Sequence, residues 1–377
     1  MQNVYITEIR INKVRHLENV DIKLSENELK HLILTGKNGS GKTSLLEAIR
    51  EITWRMQMIT TTGRENYADI IYAQKYCKEN KINSIDISYS QYKFRPIDAI
   101  YVYVPARRSN FELPKAIASV KIKDKTKIDK NKSIDFLKYI LSLDYQLYGA
   151  KTDNNKKLEA DLNRWFENFA SALKEIYSCV DLKLKRDTKN LSFIIEIPGH
   201  EPFGLHEMAD GYAAFLEIYM ELLMRFEDSE AVVNYEQSAI VMIDELEAHL
   251  HVELQKRALP FLVKMFPNVQ FIVATHSPFV MTSVENAVVY DLEKHEYLEK
   301  PSFYSYDTVV ESFLDTSMYS NELKNYFARY KELCLKERTP EENEEFLRAK
   351  AELEMRSIPS TELYIAFQNL EKQRKGE

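Results

Sequence analysis

Residues Gly36 to Thr43 have the types and the spacing of a loop that binds phosphate groups. They read G-K-N-G-S-G-K-T, which fits the pattern G-x-x-x-x-G-K-[ST]. In such a loop the glycines let backbone N–H groups turn toward an anion, the lysine neutralises its charge, and the threonine hydroxyl holds Mg²⁺. Only nine glycines occur in 377 residues, and three of them fall here, which favours a real motif over a chance match. The predicted nucleotide-binding residues of the loop are Gly36, Asn38, Gly39, Ser40, Gly41, Lys42, Thr43 and Ser44.

Two acidic residues, Asp244 and Glu245, follow a second apolar run, Ile240–Ile243. A carboxylate at the carboxyl end of a buried strand reaches the Mg²⁺ that Thr43 holds, so Asp244 is the second predicted metal ligand. Glu245 is the candidate that polarises a water for in-line attack on the γ-phosphate. A D-E pair alone is a weak signal, and the phosphate loop about 200 residues upstream strengthens it.

A histidine, His276, follows a third apolar run that spans 270–274. At the carboxyl end of a strand it would lie on the ligand-binding edge of a parallel sheet. A histidine that only fills a turn is the alternative interpretation. Next to the other two motifs, contact with the γ-phosphate is the better one.

The elements that must position these side chains are predicted from hydrophobic patterning. Strands are predicted at 4–12, 18–24, 31–35, 99–105, 180–186, 191–197, 239–243 and 270–274. Helices are predicted from 44 to about 58 and at about 158–177, 212–226 and 250–265. Strands that alternate with helices of this length favour a parallel α/β sheet. The pattern is looser over 59–200, and the last 60 residues are predicted to be helical.

The order of the three motifs resembles the ABC-type ATPase heads of the SMC, RecF and OLD lineage. The resemblance covers about 1–60 and 200–295 and implies an α/β fold, a P-loop ATPase head with a mixed sheet and flanking helices, and ATP with Mg²⁺ as its ligands. It divides the chain into two parts of the head, an insertion or lid, and a helical tail for docking. These parts are 1–58 and 201–300 for the head, 59–200 for the insertion and 301–377 for the tail. The insertion has no sustained heptad pattern, so we expect a compact mixed domain there, and a stabilising cap is the alternative for the tail.

The family carries a signature, L-S-G-G or L-S-D-G, that opens a helix and acts on the nucleotide of a second copy. The matching segment here is Met208-Ala209-Asp210-Gly211. The resemblance therefore implies a homodimer around ATP, in which Ala209, Asp210 and Gly211 face the γ-phosphate held by the other copy. Helix N-termini favour anions, which fits this arrangement. The serine hydroxyl is missing at Ala209, which favours slow hydrolysis, and Leu246 stands where the family commonly has proline.

Three further segments resemble family elements. Arg15 lies in N-K-V-R-H-L, which resembles an N-F-R-x-F segment close to the nucleotide, with a solvated surface arginine as the alternative. Arg107 follows V-P-A and resembles a P-A-x-R element. Residues 247–251 resemble an E-x-x-L-H stretch that contacts the opposite subunit. Metal binding by His249 and His251 has little weight, because residues two apart on a helix point to different sides.

Net charge, cysteine spacing and hydrophobicity limit the class of protein and the compartment in which we expect it. The net charge of −7 argues against a chain that is basic throughout, although the lysine run 121–132 is either a solvated loop or a contact for DNA phosphates. Cys77, Cys179 and Cys334 are widely spaced, which argues for a reducing cytoplasm and against a disulfide framework or structural zinc. The N-terminus lacks a secretory signal pattern and no stretch approaches 18 uncharged apolar residues, so we expect a cytoplasmic protein without a membrane contact.

Two other classes of protein fit the sequence less well. A small GTPase is the first, because residues 126–129 match the T-K-x-D motif by which such proteins recognise guanine. These residues lie within the lysine run, however, and no D-x-x-G follows the second motif, so we discard this class. OLD proteins carry a nuclease domain with D-x-D after T-H-S-P, and no D-x-D follows Ser277. We therefore expect no nuclease site in this chain.

A head with a short insertion and a helical tail resembles the ATPase subunits of bacterial anti-phage systems, in particular the Septu (PtuA-like) type. Such subunits work beside an HNH-type nuclease. The resemblance implies an ATP-gated homodimer that regulates a partner nuclease. The alternative is a RecF-like or SMC-like ATPase that binds DNA in repair without a nuclease partner.

Overall fold

The computed structural model describes residues 4–62, 84–90, 100–106, 136–187, 192–227, 233–314, 320–334, 336–356 and 362–375, together with a few single residues between 75 and 81. The chain forms two compact units, Met1–Ser305 and Tyr306–Glu377, which are described separately. Arg107, the lysine run 121–132 and Cys77 lie outside the described residues. The predicted division into four parts stays a prediction.

The described elements have the following bounds. The strands are β1 Ile6–Val14, β2 Leu17–Lys23, β3 His31–Thr35, β4 Ser84–Tyr89, β5 Ile100–Val104, β6 Lys183–Asp187, β7 Ser192–Glu196, β8 Phe203–Gly204, β9 Ala239–Ile243, β10 Val269–Ala274, β11 Ala287–Asp291 and β12 Glu296–Glu299. The helices of the first unit are α1 Lys42–Thr62, α2 Phe136–Thr152, α3 Lys156–Ile176, α4 Asp210–Phe226, α5 Val252–Met265 and α6 Pro278–Met281. The second unit has a short helix at Tyr306–Thr308 and three longer ones, α7 Asn321–Cys334, α8 Pro340–Arg356 and α9 Glu362–Lys375.

A six-stranded sheet forms the centre of the first unit, in the order β12-β11-β3-β10-β9-β5. The five strands from β11 to β5 are parallel, and β12 pairs antiparallel with β11. Every residue of β3, β9, β10 and β11 is buried, as expected for parallel strands covered on both faces. The predicted α/β fold with a mixed sheet is therefore confirmed.

A three-stranded antiparallel sheet, in the order β2-β1-β4, packs its apolar side chains into the same core as the N-terminal half of α1. The buried side chain of Gln270 joins this sheet to β10. Its Oε1 accepts from the Ile6 N–H at 2.7 Å, and its Nε2 donates to the carbonyl oxygens of Ile6 and Lys30 at 2.9 and 2.8 Å. The start of the chain is thereby fixed beside the strands that carry the motifs.

Residues 136–176 form a helical hairpin, α2 and α3, with an aromatic core. Phe136 and Trp165 each pack against Phe169, at ring-centroid distances of 5.4 and 5.3 Å. The predicted β6–β7 hairpin is confirmed, whereas α2 was not predicted from the sequence. Its first eight residues are nearly all apolar and all but Lys138 are buried, so they show no helical period.

The second unit has its own core, formed by α7, α8 and α9 around Tyr330, Phe346 and Phe367. Next to this core, the Glu371 carboxylate accepts hydrogen bonds from Tyr330, Lys350 and Arg374. Helices were predicted throughout this region, and α8 begins at Pro340 as expected. Among the described residues of both units, no helix is long and apolar enough to cross a bilayer.

Candidate nucleotide-binding site

The phosphate loop connects β3 to α1, as the sequence predicts. Gly39 and Gly41 adopt φ angles of 87° and 103°, which residues other than glycine rarely adopt. The loop forms one wall of a cleft of about 340 Å³. The residues that line this cleft are Arg15, His16, Asn38, Gly39, Gly41, Lys42, Thr43, Ser44, Asp244, Glu245 and His276.

The sheet order explains why these distant residues meet. The strands β3, β10 and β9 are neighbours and parallel, so their carboxyl ends lie side by side. The phosphate loop, His276 and the Asp244–Glu245 pair follow these three ends in turn. The structure therefore brings together the three motifs that the sequence singles out.

Lys42 is buried at the base of the cleft, with 6% of its surface exposed. Its Nζ donates to the carbonyl oxygens of Gly36 and Lys37, at 2.8 and 3.2 Å. Burial lowers the pKa of the Lys42 ammonium, and the carboxylates of Asp244, Glu247, Glu245 and Asp291 oppose this shift. An ammonium held by backbone carbonyl groups in a buried site is a favourable partner for phosphate oxygens.

The two acids after β9 differ in their surroundings. Asp244 is 3% exposed, and its N–H donates to the Val104 carbonyl oxygen at 2.9 Å, at the end of the neighbouring β5. Glu245 is exposed and has a left-handed backbone, with a φ of 48°. A fixed, buried carboxylate suits a metal ligand, and a carboxylate in contact with water suits the activation of water.

His276 lies in the loop after β10, which Glu247 holds in place. The two carboxylate oxygens of Glu247 accept from the Thr275 hydroxyl at 2.6 Å and from the His276 N–H at 2.5 Å. Burial and the Lys42 ammonium lower the pKa of His276, so its ring is neutral at pH 7. A neutral imidazole in this place can donate a hydrogen bond to a phosphate oxygen.

The turn between β1 and β2 adds Arg15 and His16 to the cleft. Arg15 has a φ of 54° and pairs with Glu47 of α1 at 3.3 Å, with its side chain 45% exposed. Because a partly exposed ion pair is weak, Arg15 can leave Glu47 and turn toward a nucleotide at little cost. That contact stays a prediction.

The signature segment stands apart from this cleft in a single chain. Ala209 is the N-cap of α4, whose first residues are Asp210 and Gly211, so the predicted helix start is confirmed. None of the described residues that line the cleft comes from 208–211. Its action on a second copy stays a prediction.

The residues present fit ATP and Mg²⁺. The hydroxyl oxygen of Ser40 is buried in the loop without a hydrogen-bond partner among the described residues, as expected for a group that meets a phosphate. Thr43 is exposed to the cleft and Asp244 lies on the same cleft wall, which gives the hard oxygen donors that Mg²⁺ prefers.

Sequence reasoning missed one acid beside this site, Asp291, and the local contacts of another, Glu247, which it singled out only within a segment that contacts the opposite subunit. Asp291 ends β11 after an apolar run and Asp244 directly follows β9, so the same criterion could have found Asp291. A Cβ atom built on Gly36 would lie 3.4 Å from its Oδ1, which places this acid beside the phosphate loop. The second is Glu247, whose hydrogen bonds to Thr275 and His276 span 28 and 29 residues and leave no local pattern.

A parallel sheet with a phosphate loop, a D-E pair and a histidine loop on three adjacent strands defines a P-loop nucleotide-binding ATPase domain. The family described as "AAA domain, putative AbiEii toxin, Type IV TA system" matches residues 78–282. This match covers more than half of the chain, and the chain belongs to that family. It includes the Asp244–Glu245 pair and His276.

Curated relatives agree with this assignment. The Septu protein PtuA of Bacillus mycoides (strain KBAB4) is 24% identical over 317 residues, which are 78% of this chain and 41% of that protein. The chain therefore spans about two fifths of the length of PtuA. The Retron Ec83 probable ATPase of Escherichia coli is 30% identical over 97 residues, which are 25% of this chain and 18% of that protein. The first of these relatives confirms the predicted resemblance to PtuA-like proteins of the Septu type, and the second is itself described as a probable ATPase.

Solved structures resemble the chain more distantly. An Smc head bound to the C-winged helix domain of ScpA has a TM-score of 0.43 at 14% identity, covering 80% of this chain and all of that chain (100%). The protein cbiO1 from Clostridium perfringens, part of the ABC transporter complex cbiONQ, has a TM-score of 0.40 at 14% identity, covering 83% of this chain and 97% of that chain.

Proposed function

We propose that this protein binds ATP with Mg²⁺, dimerises around it, hydrolyses it slowly, and thereby regulates a partner nuclease in anti-phage defence. The observation that carries the ATP part is the convergence of Lys42, Asp244 and His276 on one cleft, from three adjacent parallel strands. This convergence matches what phosphoryl transfer needs, because catalysis there depends on position and charge rather than on covalent chemistry.

Each residue has a role in this proposal. The loop N–H groups and Lys42 bind the β- and γ-phosphates, while Thr43 and Asp244 hold Mg²⁺. Bound Mg²⁺ neutralises charge on the β- and γ-phosphate oxygens. Glu245 orients and activates the attacking water, and His276 donates to the γ-phosphate.

The proposal gives the second half of the site to another copy. Support comes from α4, whose N-terminus is exposed at Ala209 and Asp210, as a surface that meets a partner's phosphate must be. With alanine at 209, one hydroxyl donor is absent from that half, which favours slow turnover. A slow ATPase suits a switch, because ATP shifts an equilibrium by its different affinity for open and closed dimers.

The partner nuclease and the defence role rest on the relatives. The chain is similar to the Septu protein PtuA and to the Retron Ec83 probable ATPase. ATPase subunits that resemble this chain work in anti-phage systems beside an effector, so we extend that role to it by analogy.

The ATP part is tested by two variants and two matched controls. Lys42→Ala should abolish binding of a fluorescent ATP analogue, whereas Lys264→Ala, whose side chain pairs with Glu175 on the surface, should not. Glu245→Gln should bind ATP, stop turnover and accumulate as an ATP-bound dimer in size-exclusion chromatography with light scattering. Glu253→Gln makes the same exchange at an exposed position and should leave turnover unchanged. Unaltered ATP binding in Lys42→Ala would remove the site assignment.

The effector part is tested in the native host. A tagged chain should co-purify a nuclease, and ATP or Glu245→Gln should change the yield or the activity of that nuclease. ATPase activity of the chain alone that DNA stimulates, without a co-purifying nuclease, would instead favour a DNA-repair ATPase.

A further inference from the structure

The loop that carries His276 is tied twice to the turn between β9 and α5, residues 245–250, here called the β9–α5 turn. The first tie is the Glu247 carboxylate, which accepts from the Thr275 hydroxyl and the His276 N–H. The second tie runs through Gln255 of α5. The Ser277 hydroxyl donates to the Gln255 Oε1 at 2.7 Å, and the Gln255 Nε2 donates to the Leu250 carbonyl oxygen at 2.8 Å. The turn is thus attached to the residues on both sides of His276.

The β9–α5 turn has a specific shape of its own. Glu245 and His249 both have left-handed backbones, with φ angles of 48° and 67°. Inside the turn, the N–H groups of Ala248 and Leu250 donate to the carbonyl oxygens of Glu245 and Glu247, each at 2.9 Å. Left-handed residues other than glycine persist where their surroundings fix them, so these contacts hold the turn in one defined conformation.

The far side of the same turn touches the start of α4. A Cβ atom built on Gly211 would lie 2.7 Å from the His249 carbonyl oxygen and 3.8 Å from the Leu250 Cα. The two backbones are therefore in direct contact, and only glycine permits this approach. A displacement of the turn toward α4 would therefore press on the first turn of that helix.

We infer that Glu247 is a positioning residue that couples the His276 loop, through the β9–α5 turn and its contact with Gly211, to the N-terminus of α4. A γ-phosphate that draws His276 toward it then reorients the α4 surface of the same chain. That surface is the one offered to a second copy, so a loaded site prepares its own chain to complete the partner's site. This inference rests on the proposed function.

Kinetics of full-length protein test the coupling. Thr275→Val keeps the shape of the side chain but removes the hydroxyl donor to Glu247. It should lower kcat about tenfold or more, with the KM for ATP changed by less than about threefold, because position and not binding is lost. Thr275→Ser keeps the donor and should stay within about twofold of wild type. Glu247→Ala should act like Thr275→Val, and if it fails to fold, the Val and Ser pair at 275 decides.

A double-mutant cycle separates coupling from local damage. Gly211→Ala combined with Thr275→Val should be non-additive in kcat by about fivefold or more. Gly149→Ala, at a helical glycine with open space around it, should combine additively with Thr275→Val. An additive Gly211 cycle, or wild-type kcat in Thr275→Val, would overturn the inference.

Hydrogen exchange on nucleotide-free protein tests the connection without turnover. Amide exchange in a peptide covering 208–216 should be faster in Thr275→Val than in wild type, and unchanged in Thr275→Ser. Equal exchange in all three proteins would also overturn the inference. Wild-type protein that neither binds nor hydrolyses ATP would refute the proposed function, which is a separate result.

Discussion

Alanine at Gly39 and at Gly41 should weaken ATP binding to different degrees. Both glycines have positive φ angles, of 87° and 103°, and an alanine Cβ makes such a backbone unfavourable by about 1–2 kcal/mol. At Gly39 the added Cβ meets nothing within 4 Å, so this backbone effect is the whole cost. A cost of about 1–2 kcal/mol corresponds to a factor of about 5 to 30 in affinity.

Gly41 carries a second cost. Its added Cβ would lie 2.9 Å from the Leu17 Cδ1 and 3.3 Å from the His16 Cε1, and Leu17 is buried in the core. Overpacking of this kind costs about 1–3 kcal/mol, which gives a total of about 2–5 kcal/mol. If the loop keeps its shape, this cost lowers the free energy of unfolding. If the loop relaxes to avoid the strain, the cost lowers the affinity for ATP instead.

Calorimetric titration with ATP and urea unfolding should therefore be measured together on both variants. The summed loss should be larger for Gly41→Ala than for Gly39→Ala, and Gly149→Ala should be neutral or slightly stabilising. Wild-type affinity and stability in both loop variants would refute the assignment of this loop as a phosphate cradle. So would a larger loss at Gly39 than at Gly41.

Three further predictions concern stability. Gln270→Leu removes the partner of two buried backbone groups of Ile6, at about 1–3 kcal/mol each, and of the partly buried Lys30 carbonyl. Urea unfolding should therefore show a loss of about 2 kcal/mol or more, against less than about 0.5 kcal/mol for Gln146→Leu at an exposed position. Burial raises the pKa of Glu51, so its stabilising effect is greatest below the unfolded pKa and is lost as pH rises. Glu51→Gln should raise the free energy of unfolding at pH 7 by about 1 kcal/mol and change little near pH 4. In the second unit, burial opposes ionisation of Glu371, but hydrogen bonds from Arg374, Lys350 and Tyr330 outweigh it and lower its pKa to about 2. Its stabilising effect is therefore present above the unfolded pKa and lost as pH falls toward 2, and Glu371→Gln should flatten thermal unfolding midpoints over that window.

The sequence predicts those parts of the site in which one short segment contains both the functional side chains and the residues that position them. The phosphate loop carries its glycines, its lysine and its hydroxyl within eight positions, and backbone geometry does the rest. Asp244 is predicted because an apolar run directly precedes it, and His276 because it stands two positions after the end of another. Local pattern and local structure coincide at these positions.

Prediction from sequence fails where the support is distant in sequence or where the pattern loses its period. Glu247 reaches Thr275 and His276 across 28 and 29 residues, and no spacing rule connects a turn to the loop after the next strand. The helix α2 was missed because its first half is buried on nearly all sides, which removes the alternation of polar and apolar residues that marks a helix. In both cases tertiary contacts, rather than local propensity, determine the structure.

Lys42 and His276 are held by contacts of different range in the sequence, and this difference affects how the site responds to mutation. Lys42 and the loop glycines are held by contacts within a few residues, so nucleotide binding should survive changes elsewhere in the unit. His276 is held through Glu247, Gln255 and the turn that touches Gly211, so its position depends on several elements at once. Leu246 belongs to the same arrangement, because its N–H donates to the Ala274 carbonyl oxygen at 3.4 Å, a bond that a proline there could not make. Binding and turnover should therefore be separable by mutation in this chain, and a protein in which ATP binding persists while turnover is easily altered is suited to act as a switch.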